Sequence, residues 1–119
     1  MTTHNEDDTP DCEPEEHSVR VVDAVDDRDI DRAVRLFKAL GDTQRFRLLL
    51  MLQAGEACVS ELVAKPGEPL SSVSSRLRLL RLEGLVKQRR EGKHVYYSLE
   101  DEHIAELLRN AIEHSREER

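Results

Sequence analysis

The chain has no tryptophan and only four aromatic side chains, Phe37, Phe46, Tyr96 and Tyr97, among its 119 residues. With large apolar side chains so scarce, a single copy buries a thin core, and a dimer that shares its core is the natural remedy. Cysteine is also rare. Cys12 and Cys58 do not make the disulfide-dense framework of a small secreted domain, which favours a reducing compartment. The apolar run Leu48–Leu52 is far short of the ~20 residues a membrane span needs. No arginine-led apolar segment opens the sequence. These absences lead to the expectation of a cytoplasmic protein without membrane association, and the length fits one small domain rather than a multidomain enzyme.

Charge is what the sequence has in excess, at 36% of residues against about 25% in an average domain. The net charge of −7 hides a segregation. Residues 1–31 hold twelve acids and two arginines, net −10, and residues 32–64 are net +2. Residues 65–94 hold eight bases against three acids, net +5, and residues 95–119 return to −4. Nucleic-acid binding follows the local field rather than the average, so the 65–94 block is a candidate basic island within an acidic chain.

Residues 1–28 read as a disordered acidic tail, without apolar periodicity and with Pro10 and Pro14 set among acids. Residues 29–119 read as one folded domain. Ile30, Ala33, Val34, Phe37 and Leu40 follow helical spacing up to Gly41. A second helix is capped by Asp42 or Thr43, carries Phe46, Leu49, Leu50 and Leu52, and stops at Gly55. A short helix over Val59–Lys65 halts at Pro66-Gly67, and a longer one runs from about Leu70 to Glu83. After Gly84 the period changes from 3.6 to 2. Val86–Arg90 and Lys93–Leu99 then form a β-hairpin around Glu91-Gly92. The last helix, about Asp101 to Arg116, sets Ile104, Leu107, Leu108, Ala111 and Ile112 in one stripe. The expected fold is mainly α (α+β): a winged helix-turn-helix of five helices plus a two-stranded hairpin wing, dimeric.

On the Leu70–Glu83 helix, Val73, Leu77 and Leu80 must pack inward, which leaves Ser71, Ser74, Ser75 and Arg78 together on another face. Short hydroxyls let a helix backbone approach a groove while bonding base edges or phosphates. The basic hairpin tip, with Arg89, Arg90 and Lys93, has the length of a wing lying beside a duplex. Serines alone would be helix caps and the hairpin alone a solvated surface. In this order, on the basic island, they point to double-stranded DNA.

His103 and His114 lie eleven residues apart, three helical turns, with Glu117 three residues further on in the same row. The helix separates the two histidines by about 16 Å, too far for one ion. Two copies packed antiparallel across a two-fold axis would bring His103 of one to His114 of the other and so create two equivalent sites. Asp101 falls outside the row, where the chain enters the helix. Taken singly, Asp101 reads as a cap and the histidines as solvated.

The sequence resembles the ArsR/SmtB family of metal-responsive repressors from about Ile30 onward. The resemblance is carried by Leu36-Phe37-Lys38-Ala39-Leu40-Gly41-Asp42, Arg45-Phe46-Arg47-Leu48-Leu49, Cys58-Val59-Ser60-Glu61-Leu62, Ser74-Ser75-Arg76-Leu77-Arg78-Leu79-Leu80 and Glu91-Gly92-Lys93-His94-Val95-Tyr96-Tyr97. It implies a homodimer that binds operator DNA when metal-free and lets go when metal binds. Asp101, His103, His114 and Glu117 match the family's zinc-sensing pattern in type and spacing, an N2O2 set suited to Zn(II) as a regulatory ligand. Some members of the family use a second metal site, to which Cys12, His17, Cys58 and Glu61 would correspond. Ser60 stands where arsenite sensors tend to place a second cysteine. Pro69 and Leu70 stand where the recognition helix usually opens with a hydroxyl residue and a polar one, and Ser75 where the family often has His. Co(II), Cd(II) or Ni(II) sensing, or a cysteine-based redox response, remain alternatives. A hydrolytic metalloenzyme is disfavoured, since there is no HExxH pattern and four protein ligands leave no place for water.

Overall fold

The computed structural model describes residues 24–63 and 65–117. Helix α1 (Asp27–Leu40) begins where Asp26 closes a capping box: its carboxylate accepts from the Asp29 amide at 3.0 Å, and the Asp29 carboxylate accepts from the Asp26 amide at 3.4 Å. Helical structure therefore starts two residues inside the 1–28 segment read as tail, while Cys12 and His17 lie outside the described residues. Helix α2 (Thr43–Gln53) is capped by Asp42, which accepts from the Arg45 amide at 3.0 Å. Arg45 also reaches back to the end of α1, where its Nε donates to the Ala39 carbonyl at 2.8 Å and its Nη2 to that of Lys38 at 3.1 Å. The last carbonyls of α1 thereby gain donors that no further turn of helix supplies.

The fifth helix expected over Val59–Lys65 is not formed. A 3-10 turn, Val59–Leu62, stands in its place, so the described residues hold four α-helices. Val63 is already extended (φ −79°, ψ 115°), and Pro66 follows closely. A residue preceding proline is pushed out of the helical region, and so short a segment cannot propagate α-type hydrogen bonds.

Helix α3 (Leu70–Leu82) has Pro69 at its N-cap, which leaves that end without a side-chain cap. Its other end is a Schellman motif: the Leu85 amide donates to the Leu80 carbonyl at 2.9 Å and that of Gly84 to Arg81 at 3.1 Å. Gly84 takes the left-handed conformation (φ 79°) that this motif requires. The hairpin follows as β1 (Val86–Glu91) and β2 (His94–Leu99), antiparallel, from Val86 opposite Leu99 to Glu91 opposite His94. The two tip residues are therefore Gly92 and Lys93 rather than Glu91 and Gly92. Gly92, at φ 60°, takes the first central position, as two-residue hairpin turns prefer. Ala57 exchanges two backbone hydrogen bonds with Tyr97, at 3.0 and 2.7 Å, which stitches the loop after α2 to the wing.

Helix α4 (Glu102–Ser115) closes the domain, with Ile104 and Leu108 buried. They join Leu49, Leu52, Leu77, Leu80 and Leu85 in a core that contains no buried charged or polar residue among those described. Each fully buried Leu contributes roughly 1.5–3 kcal/mol of transfer free energy. The apolar stripe of α1 is only partly used. Ala39 and Leu40 are buried, yet Ile30, Val34 and Phe37 remain 41%, 45% and 60% exposed on one face. On α4, Leu107 and Ile112 are half-buried and Ala111 is exposed.

Candidate nucleic-acid interface and metal ligands

The architecture places α2, the 3-10 turn and α3 ahead of the hairpin; α3 packs against the 3-10 turn and β1, and Val73, Leu77, Leu80 and Val86 are buried in the common core. With that face inward, Ser71, Ser74, Ser75 and Arg78 are all exposed. Arg76 instead turns toward the preceding loop, where its Nη1 lies 2.6 Å from Glu68 Oε2, a carboxylate only 10% exposed. The pair fastens the loop ahead of α3 to the helix itself.

On the wing the strand alternation divides the cations. Lys87, Arg89 and Glu91 lie on one face opposite Ser98, Tyr96 and His94, while Arg90 lies on the other face opposite Val95. Lys93 is in the tip. Arg90 and Lys93 are exposed. Arg89 is engaged: its Nε and Nη2 donate to the two carboxylate oxygens of Glu56 at 3.0 and 2.7 Å, and its Nη1 donates to Glu91 at 3.0 Å. Its guanidinium carbon stands 4.8 Å from the centre of the Tyr96 ring. The fork from Arg89 holds the Glu56 carboxyl below its ordinary range, and the two carboxylates raise Arg89 in turn. Glu56 and Tyr96 were missed by sequence reasoning. Glu56 is an isolated acid 33 residues from Arg89, and only the Ala57–Tyr97 bridge reveals their proximity.

The four ligand candidates of the last helix fall into two pairs. At the start of α4, Asp101 caps the helix by accepting from the Ile104 amide at 3.2 Å, and the same oxygen lies 3.7 Å from His103 Nδ1. At the end, His114 Nδ1 lies 3.4 Å from Glu117 Oε1. Both pairs face solvent, with the histidine side chains 90% and 68% exposed. Among the described residues of one chain, no three His, Cys, Asp or Glu side chains converge on a single point. Each pair brings one imidazole together with one carboxylate. Cys58 and Glu61 do meet: the Cys58 amide and thiol both donate to Glu61 Oε1, at 2.9 and 3.3 Å, and these bonds lower the Glu61 carboxyl from its ordinary value. Their expected companions Cys12 and His17 lie outside the described residues.

An outward row of serines on a buried-backed helix, a basic antiparallel wing beside it and an unfilled apolar face define a winged helix-turn-helix DNA-binding protein. Residues 42–88 match the family model described as bacterial regulatory protein, arsR family. The chain is 46% identical over 81 residues to a transcriptional repressor SmtB homolog of Synechocystis, covering 68% of this chain and 61% of that one. It is 42% identical over 84 residues to a cadmium resistance transcriptional regulatory protein CadC homolog of Staphylococcus aureus, covering 70% and 69%. Its fold matches, with a TM-score of 0.66 at 30% identity, the homodimeric winged helix-turn-helix DNA-binding domain of a possible ArsR-family transcriptional regulator from Mycobacterium bovis. That match covers 82% of this chain and all of the other. The chain belongs to the arsR family of bacterial regulatory proteins, which are DNA-binding regulators of transcription and not enzymes. No helix among the described residues is long and apolar enough to cross a membrane.

Proposed function

We propose that this protein is a transcriptional repressor that binds operator DNA as a homodimer and releases it when Zn(II) binds between paired α4 helices. The observation that carries this reading is the division of Asp101, His103, His114 and Glu117 into two His–carboxylate pairs at opposite ends of one helix. A second copy of α4, antiparallel to the first, completes both sets at once, each with two imidazoles and two carboxylates, a donor set that suits tetrahedral Zn(II). The exposed Ile30, Val34 and Phe37 on α1, with Leu107 and Ala111 on α4, supply apolar surface for that second copy. The homodimeric state of the Mycobacterium bovis domain supports a homodimer here, and the names of the Synechocystis and Staphylococcus relatives support a repressor and a metal response.

When bound, the ion supplies a crosslink between chains. With the ends of α4 tied across the axis, the two α3 helices are held at a spacing that no longer suits the operator. By linkage, DNA weakens metal binding by the same factor that metal weakens DNA binding. A typical coupling of ~1–3 kcal/mol corresponds to about 5–150-fold. The substitution His114→Ala tests the reading: the metal-free variant binds duplex like the wild type but is not released by zinc. Release by zinc with an unchanged midpoint would overturn the assignment.

A second reading rests on the convergence of Cys58 and Glu61. Joined by Cys12 and His17, which lie outside the described residues, they would make a thiolate-containing donor set that favours a softer ion such as Cd(II). An anaerobic Co(II) titration separates the two. Visible d–d bands without sulfur charge transfer at the first equivalent support the α4 site, and intense near-ultraviolet thiolate bands support Cys12 and Cys58.

A further inference from the structure

The wing's Arg89 is not a free cation. Three of its N–H groups end on carboxylate oxygens, two on Glu56 and one on Glu91, and its guanidinium carbon lies 4.8 Å over the ring of Tyr96, directly across the hairpin. A guanidinium fork onto two oxygens of one group serves carboxylate and phosphate alike. Glu56 is delivered to that fork by the backbone, because its neighbour Ala57 is bonded in both directions to Tyr97. Exposed ion pairs usually contribute little, but a bidentate pair within a network is the exception. Glu56 and Glu91 also offset the charge of Arg89, which leaves the wing to present Lys87, Arg90 and Lys93.

We propose that Glu56 is a resident stand-in for a DNA backbone phosphate: it keeps the Arg89 fork formed on Tyr96 in the free protein, and a phosphate of bound DNA takes its place. The inference rests on the DNA-binding reading above and adds to it a residue that limits affinity. Binding through Arg89 is an exchange of one oxyanion for another rather than a new ion pair, and the displaced carboxylate repels the phosphate that replaces it. Glu56 thereby lowers the electrostatic, sequence-independent part of DNA affinity, the part that all duplexes share. Glu91 and Tyr96 keep the guanidinium in place during the exchange, so its orientation need not be found anew.

The test uses the full chain and a fluorescent 30-base-pair duplex of arbitrary sequence, with affinity measured from 50 to 200 mM salt. E56Q is expected to bind more tightly at low salt, with a log–log salt slope steeper by about 0.9, the contribution of one phosphate. Over that salt range the steeper slope amounts to about a threefold larger loss of affinity. Adding R89Q to E56Q should abolish the gain. If E56Q binds no more tightly and its slope is unchanged, the pair is only a fastener between loop and wing, and the proposal fails. A measurement on the wild type covers the case in which E56Q folds poorly. The Arg89 Nε–H resonance should shift on saturation with duplex, and a resonance that stays in place overturns the exchange. Absence of duplex binding by the wild type itself would retire the DNA reading and this inference together. Wild-type binding with an unmoved Arg89 retires the inference alone.

Discussion

The Asp101 carboxylate, a candidate metal ligand, also caps α4 by accepting from the Ile104 amide at 3.2 Å. One side chain thus starts the helix and is also a proposed ligand, and substitution separates the two roles. Asp101→Ala should lower the stability of the metal-free protein by about 1 kcal/mol, the typical cost of a lost cap, whereas Asp101→Asn retains the cap and costs almost nothing. Both should weaken zinc binding. Urea denaturation of the apo proteins and a zinc competition titration read the two effects independently. Wild-type zinc affinity in both variants would remove Asp101 from the ligand set.

Shared sites have a signature that sites within one chain do not. H103A and H114A chains should each fail to bind zinc alone. Mixed in equal amounts and re-equilibrated, about half of the dimers become heterodimers, each with one intact His103–His114 combination and one doubly defective site. Zinc stoichiometry should recover to about one quarter of the wild-type value per chain. No recovery on mixing, with subunit exchange shown independently, would exclude ligands drawn from both chains.

Phe37 is 60% exposed on α1, in line with Val34 and Ile30. Phe37→Glu removes little from the core of a single chain, so the far-ultraviolet circular dichroism of the variant should match the wild type. Its sedimentation coefficient should fall to that of a monomer at micromolar concentration, and its duplex affinity should fall with it. A stable dimer would show that α1 is not part of the contact.

Asp42 accepts the Arg45 amide at the start of α2, and that bond holds its carboxyl below the ordinary value of 3.8. A group whose folded pKa is depressed contributes stability that is fully present above the unfolded value and lost as pH falls through the folded one. The acid limb of the stability curve should therefore steepen below about pH 5, and Asp42→Asn, which keeps a capping oxygen, should flatten it. Thermal melts between pH 3 and pH 7 test this. Parallel curves for the two proteins would assign the acid limb to other carboxylates.

The elements were legible wherever a local signal marked their ends. Asp42 capped α2, Gly84 ended α3 in the left-handed region and Asp101 capped α4, each for a reason contained within a few residues. The short helix after Cys58 was overestimated because its apolar residues suit either an α or a 3-10 turn, and the nearby Pro66 decides between them. The placing of His114 and Glu117 in one row was accessible from helical spacing, as was the distance that keeps His103 and His114 of one chain apart, whereas the approach of Asp101 to His103 depends on the non-helical backbone ahead of α4. The capture of Arg89 was not accessible. In the sequence it is one of several bases in the wing, and nothing local marks Glu56 as its partner. That contact exists because the loop after α2 is laid along β2, a long-range pairing that composition and periodicity do not report.

The ties between elements bear on how a signal at α4 reaches DNA. Ala57 is bonded to Tyr97, the Leu85 carbonyl accepts from the Glu100 amide at 3.0 Å, and the Gln53 side chain donates to the Ala105 carbonyl at 3.0 Å. The loop after α2, the segment that follows α3, the hairpin and α4 are thus tied to one another by hydrogen bonds. On the proposed reading, a metal held between paired α4 helices would leave unchanged what each α3 reads. It would act on the rotation of one body against the other, and so on the helical phase in which the pair meets a duplex whose grooves repeat every ~10.5 base pairs.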